Sequence, residues 1–270
     1  MIVYFRRISD VNIYLYIDDE FMPRSQCFEI SLLLKTYNMI PCEEIKLSGN
    51  VYKYIIYGKG SKINTFNTDY YTICDYNEDN WLFNLMIDLE SFYEDILHAI
   101  IIHGSCVEIE NRNIFLIGER WSGKTTLVKY MADEIGGIYM CDDCTYIIKN
   151  SFYGFAMPLL QRIQTEGMQS NSGIIDRDGV QRSIFSPIRT KGYTKRIDLI
   201  VFPEYDKEIN EQIVVLNKMD SYIKIMKSIR SYNSINELYY EINRIVREIK
   251  CISIKYNSSE NAYKIINKYM

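Results

Sequence analysis

"IFLIGERWSGKTTLVKYM", residues Ile114–Met131, is the stretch whose reading decides the fold. Ile114–Ile117 is a continuous apolar run of the length and character of a strand buried on both faces. It breaks at Gly118-Glu-Arg-Trp-Ser-Gly123-Lys124-Thr125, and Thr125–Met131 then reads as a helix. Strand, glycine-bracketed loop, Lys-Thr and helix together give G-x-x-x-x-G-K-[ST] in the context that phosphate binding requires. Glycines at 118 and 123 let the backbone curl until successive N–H groups face phosphate oxygens, backed by the positive end of the helix dipole. Lys124 is expected along the β- and γ-phosphates, and the Thr125 hydroxyl on the magnesium ion that accompanies them. The expected nucleotide contacts are Gly118, Trp121, Ser122, Gly123, Lys124, Thr125 and Thr126, with Trp121 at the tip placed to cover the nucleotide, to cover a peptide, or to pack.

Composition bounds what surrounds the loop. A chain of 270 residues, 47% hydrophobic, is long enough to bury a core as one large domain or two small ones. A net charge of −4 argues against a general affinity for nucleic acid or an anionic membrane. Met1–Arg7 alternates and then turns charged, without the pattern of a signal peptide, and no apolar stretch approaches the length of a membrane span, so a soluble cytoplasmic protein is expected. The 7 cysteines are scattered and odd in number, which suits free thiols. Cys141-Asp-Asp-Cys144 has no second pair to complete a tetrahedral zinc site.

Strand-like runs at Ile2–Phe5, Asn12–Ile17, Val51–Tyr57 and Tyr70–Cys74, with helical spacing over Phe28–Tyr37 and Trp81–Leu97, predict a small N-terminal α+β lobe over residues 1–94. The second domain, 95–270, opens with a strand His98–Ile109 that turns at Glu110–Asn113 into the loop strand. Ile138–Cys141 reads as a short strand, and Gln161–Lys195 as polar loops around the site. Ile197–Phe202 and Gln212–Leu216 read as strands, Ser221–Ile229 and Ile235–Ile249 as helices, then Cys251–Lys255 as a strand and Ser259–Tyr269 as a terminal helix.

A magnesium-nucleotide site also needs a carboxylate for the metal and, in a kinase, a base for the attacking hydroxyl. Asp142-Asp143 ends a strand one βαβ-sized step after the loop, where ligands collect in open α/β sheets. Adjacent carboxylates raise one another's pKa unless a cation shields them, which makes a metal their natural partner. A solvated acidic turn is the alternative.

With His103-Gly-Ser-Cys-Val-Glu-Ile109 fifteen positions before Gly118, the loop, and the double aspartate, residues His103–Thr145 resemble the catalytic core of the HPr serine kinase/phosphorylase family. That resemblance implies an α/β fold: a P-loop core like the HPr kinase C-terminal domain and phosphoenolpyruvate carboxykinase, beside a small N-terminal α+β lobe for substrate. It implies ATP and Mg2+ as cofactors, Asp142 as general base, Asp143 as a metal-site carboxylate, and His103 beside the attacked γ-phosphate. Lys124 and Thr125 keep their loop roles. The loop reads Lys-Thr-Thr-Leu rather than Lys-Ser-Glu, and no copy of the family's substrate-side signature stands in Gln161–Lys195. The layout is therefore closer to the family's peptide-maturation branch, implying a serine or threonine hydroxyl of a peptide or small protein as acceptor, and a possible homo-oligomer. Arg162, Arg189, Lys191, Lys195 and Arg196 are candidates for the cation that stabilises the transferred phosphoryl group, with Arg162, Arg189 and Lys195 foremost.

Asn217-Lys-Met-Asp220 copies the guanine-reading N-K-x-D of GTPases, and Asp176-Arg-Asp-Gly179 supplies a D-x-x-G before it. Against this, Asp176 follows only two apolar residues in a polar stretch, and Asn217–Asp220 can equally cap the helix that follows. A nucleotide-binding scaffold without catalysis is the third reading.

Overall fold

A computed structural model of the chain describes backbone and side chains of residues 98–148, 150–154, 189–209 and 211–270, and the backbone of strands at 2–8, 11–17, 40–41, 50–57, 70–75, 159–162, 174–177 and 180–185. The chain forms two compact units, Met1–Tyr93 and Glu94–Met270.

In the first unit, β1 (Ile2–Ile8) and β2 (Val11–Ile17) pair antiparallel, with Ile8 opposite Val11. β3 (Ile40–Pro41) lies antiparallel outside β1, and β4 (Asn50–Tyr57) and β5 (Tyr70–Asp75) add in parallel beyond β2, giving the order β3-β1-β2-β4-β5. The helical spacings at Phe28–Tyr37 and Trp81–Leu97 fall outside the described residues.

The second unit is mixed α/β. Its strands are β6 (Ile100–Ile102), β7 (Gly104–Ile109), β8 (Arg112–Ile117), β9 (Ile138–Cys141), β10 (Thr145–Ile148), β11 (Ser151–Gly154), β12 (Leu159–Arg162), β13 (Ile174–Arg177), β14 (Val180–Phe185), β15 (Tyr193–Thr194), β16 (Leu199–Tyr205), β17 (Gln212–Val215), β18 (Ile229–Ser231) and β19 (Lys250–Tyr256). Its described helices are α1 (Lys124–Asp133), α2 (Lys218–Met226), α3 (Ile235–Glu248) and α4 (Ser259–Asn267).

A six-stranded sheet, β17-β19-β16-β8-β7-β9, is the centre of the unit. β8, β16 and β19 run parallel, while β7 is antiparallel to both β8 and β9. The continuous apolar character of β8 follows from burial on both faces. Phe115 and Ile117 join one core cluster with Cys106, Ile200, Phe202 and Cys251, whereas Ile114 and Leu116 join another with Val107, Val201, Ile252 and Ile254. The second cluster is closed by α1, through Leu127, Val128 and Met131, and by α4, through Ala262 and Ile266. On the first face lie α3, whose Leu238, Ile242, Ile245 and Val246 repeat at helical spacing, and a small sheet β15-β11-β10-β6-β18.

Three expectations are corrected here. His98–Ile109 is not one strand: it breaks at His103, so β6 belongs to the small sheet and β7 to the large one. Gln161–Lys195 is not loop throughout, because β12, β14 and β13 pair there as an antiparallel sheet and β15 follows. Ser221–Ile229 does not stay helical; α2 ends at Met226 and the chain returns as β18 beside β6.

α2, α3 and α4 begin with Asn217, Ser234 and Ser258, whose side chains accept from the backbone N–H three residues on. Each such cap contributes about 1 kcal/mol. α1 differs: its N-cap is Gly123, with no side-chain cap.

Candidate functional site

Because β7 runs against β8 and β9, its beginning lies beside their ends. Three chain segments distant in sequence therefore meet at one edge of the sheet: His103-Gly104 entering β7, the glycine loop leaving β8, and Asp142-Asp143 leaving β9. The register fixes the details. Gly104 pairs with Ile117, and Cys106 with Cys141, which carries Ser105 against the residue after β9. The Ser105 hydroxyl hydrogen-bonds Asp142 Oδ1, and Thr125 Oγ1 donates to Asp142 Oδ2 at 2.8 Å. The motif threonine and the first aspartate thus touch directly.

The loop has the conformation that its glycines allow. Gly123 takes φ +90°, and a Cβ there would run into the Tyr256 hydroxyl and approach Tyr205 Cβ at 3.1 Å. Trp121, 75% exposed, takes φ +71°, a left-handed conformation rare for a bulky residue. Lys124 is buried, and its ammonium donates to the carbonyls of Gly118 and Glu119, both at 2.8 Å. Burial lowers its pKa, while Asp142 and Asp143 act to hold it up. The first turn of α1 leaves backbone N–H groups without intrahelical acceptors, and its N-cap, Gly123, has no side chain to accept from one.

The two aspartates have different surroundings. Burial pushes the Asp142 carboxyl above the usual carboxylate range, opposed by the hydrogen bonds from Ser105 and Thr125. Asp143, at φ +72°, turns its side chain outward, 63% exposed. Its Oδ1 lies 3.3 Å from His103 Nε2 and 3.2 Å from Arg230 Nη2. Arg230 Nη2 also lies 3.4 Å from His103 Nδ1, and its Nη1 donates to Cys144 Sγ at 2.8 Å.

An arginine only donates, so Nδ1 of His103 must accept, which puts the ring proton on Nε2 facing Asp143. The His103–Asp143 contact is therefore one between a neutral ring and a carboxylate rather than an ion pair. The charge environment agrees: burial, with Lys124, Arg230 and Arg120 nearby, outweighs Asp143 and lowers the His103 pKa to about 4.

The structure thus brings His103, Lys124, Thr125, Asp142 and Asp143 together. Other named residues lie elsewhere. Arg189 donates to the Gly136 carbonyl at 3.1 Å and pairs its backbone with Tyr139, at the beginning of β9, away from Asp142. Lys191 is bound between Glu108, at 2.6 Å, and Asn113. Lys195 is exposed and follows β15, at the Ser151 end of β11 and opposite the Thr145 end of the small sheet. Arg196 pairs with Asp198 at 2.7 Å. Arg162 is on β12, opposite Arg182, and its side chain is outside the described residues.

Arg230 is the site residue that the sequence reading missed. Its strand of three residues carries no period, and only pairing with Ile101 and Ile102, one step before His103, brings it to the cluster.

Asn217–Asp220 is far from the loop in the sheet. β17 is antiparallel to β19, with Val215 opposite Ile252, so Asn217 lies toward the beginning of β19, whereas the loop stands at the end of β8. Asn217 accepts from the Asp220 N–H at 2.9 Å and donates to its carboxylate at 2.7 Å, which makes the four residues a helix cap. Asp176 lies on β13 in the separate three-stranded sheet. Cys141 is buried beside Thr145, and Cys144 is engaged by Arg230.

No family model matches the chain, and no curated protein matches it. Among solved structures, an HPr(Ser) kinase/phosphatase from Coxiella burnetii overlaps 62% of this chain and 88% of its own, with 14% sequence identity and a TM-score of 0.30. At that score the likeness decides neither fold nor activity. Among the described residues, no helix is long and apolar enough to cross a membrane.

Proposed function

We propose that the second unit is a P-loop kinase of the HPr-kinase-like kind, which transfers the γ-phosphoryl group of ATP to a serine or threonine hydroxyl of a peptide or small protein. A ribosomally made precursor peptide is the acceptor class that this reading favours, with the first unit as its binding lobe. The observation that carries the proposal is the meeting of two pairs: Thr125 on Asp142 by the loop, and His103 with Arg230 on Asp143 at the open side.

The residues fit a magnesium nucleotide. Gly123 holds the left-handed turn of the loop closely against Tyr205 and Tyr256, the N-cap of α1 supplies no side-chain cap, and Lys124 supplies a positive charge. Thr125 and Asp142 offer the hard oxygens that Mg2+ takes from a protein when phosphates complete its shell. Bound there, the ion would neutralise charge developing on the phosphate oxygens.

These contacts favour an exchange of the two aspartate roles inferred from resemblance. Asp142, tied to Thr125, suits the metal, and Asp143, exposed beside His103, suits the base. The acceptor oxygen bonds to the γ-phosphorus as the bond to the β–γ bridging oxygen breaks. The hydroxyl proton passes to Asp143, and ADP leaves. His103, with Nε2 3.3 Å from Oδ1, positions the Asp143 carboxylate. Arg230, and Lys124 once released from the loop carbonyls, stabilise the transferred group.

The test is transfer of labelled γ-phosphate from ATP to serine- and threonine-containing peptides. Transfer by the wild-type chain that Asp143→Asn abolishes while magnesium-nucleotide binding persists supports the kinase. Nucleotide binding with no transfer to any hydroxyl acceptor leaves a scaffold instead.

A further inference from the structure

The contacts on the two sides of the loop orient a nucleotide along the sheet. Its terminal phosphate is drawn toward Thr125 and Asp142, on the β9 side. The base must then extend the other way, across β8 toward the ends of β16 and β19, where ligands collect in open α/β sheets. Those strand ends carry Tyr205 and Tyr256.

The two tyrosines are built into the loop. The Tyr205 N–H donates to the Ser122 carbonyl at 3.2 Å, and the Tyr256 hydroxyl lies 3.5 Å from the same oxygen. Their rings meet edge to face, with centroids 5.7 Å apart. Tyr256 is fully buried and serves as the support, whereas Tyr205 is 48% exposed. An aromatic ring is thus fixed beside the loop with much of its surface open, on the side to which the base must point.

Polar groups of the surrounding turns are engaged in local hydrogen bonds. The Asp206 N–H donates to the Tyr256 carbonyl at 2.9 Å, and its Oδ1 accepts from the Glu208 N–H at 3.0 Å. Asn257 donates to the Ile209 carbonyl at 3.5 Å and accepts from Asn261 at 3.1 Å. The polar pair that could read guanine, Asn217 and Asp220, is at the other end of the sheet and bonded to itself.

We propose that the nucleobase stacks on Tyr205, in a site formed by the turns after β16 and β19, and that this site takes adenine and guanine nucleotides alike because it offers a ring face rather than edge-reading groups. The inference rests on the triphosphate reading of the loop. It adds a specificity-determining residue to that reading and predicts a broad choice of phosphoryl donor.

The full-length chain is titrated by calorimetry with MgATP, MgGTP and magnesium tripolyphosphate, which has the phosphates without a base. Wild-type affinities for ATP and GTP should agree within about tenfold. Tyr205→Ala should weaken both by about tenfold, the scale of one base stacked on one aromatic ring, and leave tripolyphosphate within about twofold. Tyr205→Phe should restore nucleotide affinity, because the ring and not the hydroxyl is at work. Retained tripolyphosphate binding by the alanine variant also certifies that its loop is folded.

Equal losses for nucleotide and tripolyphosphate would mean that Tyr205 acts only by supporting the loop, and would overturn the proposal. So would unchanged nucleotide affinity, or a hundredfold or so preference for one base. Lys124→Ala separates the two levels. If all three ligands bind it as tightly as they bind the wild type, the loop is not the phosphate site, and the kinase reading falls together with the base site.

Discussion

The environment of His103 makes a prediction that solution measurements can decide. Its pKa is lowered from about 6.5 in the unfolded chain to about 4 in the folded one, first by burial and then by Lys124. The unfolded state therefore binds more protons throughout this window. The stabilising contribution is complete above pH ~6.5 and is lost as the pH falls toward 4. Between pH ~7.5 and ~5 the loss from this one residue is about 2 kcal/mol, since protonating the unfolded imidazole is favourable while the folded site resists it. The side chain is only 16% exposed, so solvent screens little of this. The chain has 2 histidines, so NMR titration of their ring protons can be assigned from a single His98→Gln variant. His103→Gln should lower stability at neutral pH but flatten the loss on acidification, read by urea unfolding at the two pH values, by about 2 kcal/mol relative to wild type. A measured His103 pKa at or above 6.5 would show that the folded site does not disfavour the charged ring, and would refute the predicted loss of stability on acidification.

The remaining predictions concern the loop, the carboxylates and the false guanine motif. Asp142→Asn should remove the magnesium dependence of nucleotide binding, whereas Asp143→Asn should keep it and lower transfer by about 10²–10⁴-fold; the opposite pattern would return the base role to Asp142. Arg230→Ala should lower kcat by about 10²–10³-fold with little change in nucleotide KM, and steady-state kinetics showing no such drop would remove it from the phosphoryl site. Gly123→Ala forces a side chain into φ +90° against Tyr205 and Tyr256, costing about 1–2 kcal/mol for the conformation and a similar amount for the clash, visible as a lowered Tm and lost nucleotide binding. Asn217→Ala should cost about 1 kcal/mol of stability as a lost cap and leave the ATP to GTP affinity ratio unchanged; a changed ratio would revive the guanine-reading role.

How much of this was legible in the sequence depended on how local each feature is. β8, its loop and α1 follow from consecutive residues, since a doubly buried strand reads as an unbroken apolar run and the glycines punctuate it. α3 and α4 were legible as the helical runs Ile235–Ile249 and Ser259–Tyr269. β10, β11, β15 and β18 are no longer than four residues, too short for an alternation to register, and they exist because they pair with one another. Spacing placed Asp142 and Asp143 near the loop, and the family resemblance placed His103 there, but neither could say that Thr125 touches Asp142 while His103 touches Asp143. Those contacts come from register, and register is not a local property. The cations of residues 189–196 failed as site candidates for the same reason. Charge alone named them, and pairing put Lys191 between Glu108 and Asn113 and Arg189 at the far end of β9.

The site residues share a less obvious property. His103 stands where the chain leaves the small sheet after β6 to enter β7, and Asp142–Cys144 where it leaves β9 to enter β10. β10 pairs with β6, and β9 with β7, so the two crossings run side by side at the seam between the sheets. A backbone changing sheets must break its ladder, and the break frees side chains that a continuous strand would commit to one face or the other. The left-handed φ of Asp143 is the local form of that break, and it turns consecutive aspartates to different surroundings, one against Thr125 and the other toward His103 and solvent. Arg230, at a register shift between Ile229 and Ser231, reaches the same seam from the edge of the small sheet. The separation of the two carboxylates into a buried and an open partner is thus a consequence of topology: it requires both crossings to be adjacent, and Ile102, Cys106, Ile147 and Met140, packed in one cluster beneath them, hold them so.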